Sequence, residues 1–112
     1  MIKLSVISNP DFNDYNLIKH ELLKEKIDVL VVGGRRGADM LAEEFAIEQE
    51  LTLQVFLPEY RRYGEEAYHF QNRKIIENST KVIIFWNRLS KVPVSRIPLI
   101  REYQKRYRTV MY

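Results

Sequence analysis

The chain has 112 residues, 46% hydrophobic and 29% charged, with a formal net charge of +3 and no cysteine. That is the length of one ordinary domain, and it is too apolar to be disordered. The missing cysteine excludes a disulfide scaffold, a thiolate zinc site and a cysteine nucleophile. No stretch reaches the ~18 to 20 apolar residues of a membrane span, and the opening MIKLSVIS lacks the long apolar run and cleavage site of a signal peptide. The expectation is a single soluble, cytoplasmic domain over residues 1–112, with no membrane role.

In chain order, Lys3 to Ile7 reads as a short apolar strand, followed by an Asn9-Pro10-Asp11 turn. Asp11 or Asn13 is placed to cap a helix with Tyr15, Ile18 and Leu22 on one face. The run IDVLVV, Ile27 to Val32, suits a strand covered on both faces. Ala38 to Glu50 is amphipathic, with Ala38, Leu41, Ala42 and Phe45 inward. Thr52 to Leu57 is a third strand stopped by Pro58, and Glu65 to Asn78 a third helix. KVIIFW, Lys81 to Trp86, is a fourth buried strand. Pro98 to Arg106 reads as a last helix, and Thr109 to Tyr112 as an edge strand. Alternating strands and helices predict a Rossmann-like three-layer α/β/α sandwich with a mainly parallel sheet of about five strands. Ligands of such sheets bind beyond the carboxyl ends of the strands. Attention therefore falls on the loops Ser8–Asp14, Gly33–Ala38, Pro58–Glu66 and Asn87–Arg96.

The loop LVVGGRRGAD, residues 30–39, is the most distinctive stretch. Gly33, Gly34 and Gly37 let the backbone approach a neighbour closely and adopt positive φ. The helix starting at Ala38 adds unpaired N–H groups and a partial positive charge. Arg35 and Arg36 add charge or a bidentate grip. Asp39, in the first helical turn, is placed to bond the backbone or a ligand hydroxyl. Together these favour an anion, above all a phosphate. A tight strand-to-helix turn with no ligand uses the same residues. The pattern is neither a Walker A loop nor the dinucleotide fingerprint.

GGRRGADMLAEEFA, VFLPEYRRYGEEA and QNRKIIENSTKVIIFWN occur in that order. They resemble the YspA-like, cpYpsA-related branch of the SLOG superfamily, which also holds the DNA-processing protein DprA and the LOG-type phosphoribohydrolases. The resemblance covers residues 29–88 and implies a Rossmann-like fold binding a nucleotide or nucleotide-derived small molecule. By the resemblance, Gly33, Gly34, Gly37 and Asp39 fall on the glycine motif, and Arg36 on its arginine. Tyr60 stands where the branch has tryptophan, Tyr63-Gly64 match its Tyr-Gly, and Asn72 matches the Asn of an Arg-Asn pair. Three departures stand out. SNPDF replaces a Gly-x-Arg turn, Gln71 replaces the Arg before Asn72, and NRLSKVPVS lacks the Gly-Thr phosphate loop after the fourth strand. Ser90, Ser95 and Lys91 are the groups left there to meet a phosphate. The missing loop weighs against catalysis, so a sensing or sequestering role is expected ahead of a phosphoribohydrolase-like enzyme.

His20 reads as a surface residue and His69 as a helix residue near the site. No pair has metal spacing, and no metal or cofactor is implied. From Arg88 to Tyr112 seven Lys/Arg face a single acid, with Tyr103 and Tyr107 interleaved. Such interleaving suits single-stranded nucleic acid, and equally a helix packing on its sheet. A homodimer is a further expectation, from the apolar KVPVSRIPLI segment and from relatives that are often dimers. A degenerate domain acting through a protein partner is the remaining alternative.

Overall fold

The computed structural model describes all 112 residues. In chain order the elements are β1 (Lys3–Ile7), α1 (Tyr15–Leu22), β2 (Val29–Val32), α2 (Ala38–Glu48), β3 (Thr52–Val55), α3 (Tyr60–Tyr63), α4 (Ala67–Glu77), β4 (Lys81–Trp86), α5 (Ile97–Glu102) and β5 (Arg106–Met111). Short 3-10 turns, Gly64–Glu66 and Val94–Arg96, lead into α4 and α5. All five strands are parallel, in the order β3-β2-β1-β4-β5. The Rossmann-like sandwich expected from the alternation is what the chain forms. No helix is long and apolar enough to cross a membrane.

The central strands carry apolar residues toward both faces, as their β-branched runs demand. On one face Leu4, Val6, Leu30, Val32, Ile83 and Phe85 meet Ile18 and Leu22 of α1 and Ala42, Phe45 and Ala46 of α2. On the other, Val29 and Val31 meet Ile75 of α4, and Val82 and Ile84 meet Ile76 of α4 and Ile100 of α5. The two faces alternate with a period of two along β2 and β4. The helices thus divide by face, α1 and α2 on one and α4 and α5 on the other. Chain order reverses between β1 and β4. The loops leaving those two strands diverge to opposite faces, which opens a crevice above their carboxyl ends.

Several ends differ from the sequence reading. Asp14, not Asp11 or Asn13, caps α1, its side chain accepting from the Leu17 N–H at 3.0 Å. Asn9 Nδ2 instead donates to Asp11 in the preceding turn, at 2.8 Å. The last helix stops at Glu102 and β5 begins at Arg106, four residues after the helix ends. Helix α3 has no counterpart in the sequence reading, because a four-residue turn of YRRY offers no apolar period.

Candidate functional site

A cleft of about 410 Å³ opens above the carboxyl ends of β1 and β2, a size ordinary for small-molecule sites. Its walls come from all four loops singled out in the sequence. Ser8 and Pro10 follow β1, Gly33 to Asp39 follow β2, Leu57, Pro58 and Tyr60 follow β3, and Val92 and Arg96 follow β4.

The glycine loop is organised by one buried carboxylate. Asp39, 2% exposed, accepts from the Gly33 N–H at 3.0 Å and, at longer range, from the Arg35 N–H. Arg35 folds back onto the same carboxylate in a two-pronged pair, Nε to Oδ2 at 2.5 Å and Nη2 to Oδ1 at 3.1 Å. Arg35 also donates to Asn72 Oδ1 at 2.6 Å and to the Val6 carbonyl at 3.3 Å. The planar guanidinium fork suits this multiple engagement. Asp39 and Arg35 therefore hold the loop shut on itself, and their charges cancel. Asn72 positions Arg35 from α4.

The absent side chains of the loop have protein causes. A Cβ on Gly33 would collide with the Gln71 amide and come within 2.9 Å of Ile75 Cδ1. Gly37 has φ +91°, and a Cβ there would lie 2.5 Å from the Asn9 carbonyl oxygen. What approaches the loop so closely is the chain itself, from α4 on one side and the β1 loop on the other. Gly37 gives α2 no side-chain cap. The cap comes from Ser8, whose Oγ accepts from the Ala38 N–H at 2.8 Å and donates to the Asn9 carbonyl at 2.9 Å. The N–H groups of Gly33, Arg35 and Ala38 are thus taken, while those of Gly34, Arg36 and Gly37 have no protein acceptor.

Beyond the knot the cleft is positively charged. Asp39 is the only acid in its wall. Arg36 is exposed and makes no ion pair. Arg96 enters from the turn before α5, half-buried, its guanidinium without a hydrogen-bond partner. Burial first, and then the neighbouring charge of Arg35, pull its guanidinium below its usual pKa. The remaining wall is apolar and aromatic. Leu57, Pro58, Tyr60 and Tyr68 form it, the two tyrosines crossing edge-to-face at 5.6 Å with their hydroxyls bonded at 2.5 Å. Gln71 lies beneath, 2% exposed. Its Nε2 donates to the Gly33 and Phe56 carbonyls at 2.8 and 2.9 Å, which fixes the amide orientation and leaves Oε1 buried without a donor.

Of the residues expected at the site, Gly33, Gly34, Arg35, Arg36, Ala38, Asp39 and Tyr60 line the cleft. Gly37 is turned into the β1 loop, and Asn72 is spent on Arg35. Ser90 lies outside the cleft wall, its N–H donating to Asn87 and its carbonyl accepting from Trp86 Nε1 at 2.7 Å. Sequence reasoning passed over Arg96, Gln71, Tyr68 and Ser8. For Ser8 and Arg96 the available signal was their place in loops at the strand ends, and for Gln71 its place beside Asn72 in the motif; Tyr68, on α4, carried none. His69 is exposed on α4 beside Phe70 and outside the cleft wall. Glu65 and Glu66 are exposed in the 3-10 turn, and no three His, Asp or Glu side chains converge as a metal-ligand set. In the basic C-terminal stretch, Tyr103 and Tyr107 pack against the Ile76–Ile100 cluster and Arg108 pairs with Glu21 and Glu25. Ile97, Leu99 and Ile100 of KVPVSRIPLI face that same core.

In comparisons with known proteins, no family model, no curated protein and no solved structure matches the chain.

Proposed function

We propose that the chain binds a nucleotide or nucleotide-derived small molecule in this cleft, with its phosphate against the Gly33–Ala38 loop, and senses or sequesters it. The observation that carries the reading is the loop's surplus of donors. Gly34 and Arg36 present unpaired N–H groups beside the unpaired Arg36 guanidinium, and the only acid within reach is neutralised by Arg35. Backbone N–H groups at a helix start, joined by a free guanidinium, form an anion cradle. The Leu57–Tyr60–Tyr68 wall supplies an apolar and aromatic surface suited to a planar base. Gln71 Oε1 supplies an acceptor for an N–H or O–H of the same ligand.

Binding is favoured over turnover. A hydrolase of nucleotides needs an acid or base free to act at the bond it breaks, and both Asp39 oxygens are committed to the loop. The test is thermal unfolding against nucleoside mono-, di- and triphosphates, NAD, ADP-ribose and a short single-stranded oligonucleotide. A ligand at 100 times its Kd stabilises by about 2.7 kcal/mol, which raises the Tm of a domain this size by roughly 10 °C. Arg36→Glu removes that shift while leaving the unliganded Tm within about 1 °C, because Arg36 is exposed and its side chain makes no hydrogen bond or ion pair. A shift that survives Arg36→Glu, or a flat panel from a protein that melts cooperatively, refutes the reading.

A further inference from the structure

Arg96 carries a second assignment. It reaches the cleft from the β4 side of the crevice, whereas Arg36 reaches it from the β2 side, and the carboxyl end of β1 lies between. Its guanidinium has lost part of its water and has received no carboxylate, carbonyl or hydroxyl in exchange. Its charged neighbour is Arg35, a like charge. A half-buried arginine facing another arginine costs folding free energy unless an anion joins them. The surroundings leave no internal candidate, since the cleft's one carboxylate already serves Arg35. Arg36 on the facing wall is unpaired as well. The cleft thus holds two uncompensated positive charges on opposite walls.

We propose that Arg96 and Arg36 close on one terminal phosphate from opposite walls, so that the cleft selects a phosphomonoester and discriminates against phosphodiesters. The proposal rests on the nucleotide reading above and deepens it. Two separated guanidiniums match a group with about −1.5 to −2 charge and three free oxygens at pH 7, which is a monoester. A diester offers one negative charge and two free oxygens, so it neutralises only one of the two arginines. The apolar wall stays available for the rest of the ligand. Arg96 is held for the ligand at a cost to the empty protein.

The test is calorimetric titration of the full chain with the four nucleoside 5′-monophosphates and their 3′,5′-cyclic diesters, together with the Tm of unliganded Arg96→Met. The expected result is that at least one monophosphate binds ten-fold or more tighter than its cyclic diester. Arg96→Met loses at least ten-fold in affinity for that monophosphate, Arg96→Lys recovers part of the loss, and the Tm of unliganded Arg96→Met equals or exceeds that of the parent. Equal binding of monoester and diester overturns the proposal and leaves the nucleotide reading standing. So do unchanged affinity in Arg96→Met and binding confined to the cyclic diesters. A lower unliganded Tm in Arg96→Met also overturns it, because the residue then serves the fold. If neither a monophosphate nor a cyclic diester binds, the proposal is overturned, and the nucleotide reading is decided separately by the wider thermal panel.

Discussion

Ser5 lies in the middle of β1, fully buried, with a hydroxyl that meets no partner. A sealed hydroxyl of that kind costs stability, so Ser5→Ala is expected to raise the free energy of unfolding by about 1 kcal/mol, read by urea denaturation. Asp39 is the opposite case. Removing it in Asp39→Ala strands the Arg35 guanidinium and two loop N–H groups, and the expected loss is about 3 kcal/mol by the same measurement. Two glycines separate strain from collision. Gly64 has φ +56° with open space where a Cβ would go, whereas Gly37 combines φ +91° with the Asn9 carbonyl. Gly64→Ala carries only the strain, about 1 to 3 kcal/mol. Gly37→Ala adds a backbone clash and lowers Tm further. The special status of these glycines was legible in the sequence. The cause at Gly33, Gly34 and Gly37 was not, because the atoms pressing on that loop come from Gln71, Leu57 and Asn9, distant in the chain.

Among the elements, α1 and the edge strand β5 are tied by charge. Arg108 bonds Glu21 at 2.6 Å and Glu25 at 3.0 Å, and Lys81 of β4 bonds Glu25 at 2.8 Å. The Lys24 bond, opposed by burial and aided by Arg108, holds Glu21 below its ordinary value of 4.5. Burial would raise Glu25, but Lys81 and Arg108 together keep it below 4.5 as well. Carboxylates with lowered folded pKa values give a stabilisation complete above about pH 4.5 and lost as pH falls through the lower folded values. Acid titration of stability is expected to show that loss. Arg108→Met should flatten it and cost about 2 kcal/mol at pH 7, measured by denaturant unfolding at several pH values. The sequence announced β2 and β4 through uninterrupted β-branched runs, and α2 through its period. It misplaced the α1 cap, since Asp11, Asn13 and Asp14 are all chemically fit for the position. It began β5 too late, since Arg106 and Arg108 look like helix surface until Glu21 and Glu25 are in place to receive Arg108.

At the scale of the molecule, β1 and β4 lie inside the sheet with both faces covered, while β3 is a four-residue edge strand with no buried residue. Amide exchange is therefore expected to be slowest in β1 and β4 and fastest in β3, with β5 between, read by hydrogen–deuterium exchange. The same topology explains what could be read of the cleft. Its loops were legible, because strand ends are visible in sequence. Arg96 was not, because its meaning depends on β4 lying beside β1 in space, which an order of elements along the chain does not state. Trp86 sits where this matters. It is the chain's only tryptophan, closes β4, and donates its indole N–H to the Ser90 carbonyl, at the root of the segment that carries Val92 and Arg96 into the cleft. The protein thus contains its own optical reporter. Any ligand that draws on Arg96 pulls on the segment anchored to that indole, so occupancy of the cleft can be followed through intrinsic emission, with no label and at protein concentrations too low for heat detection.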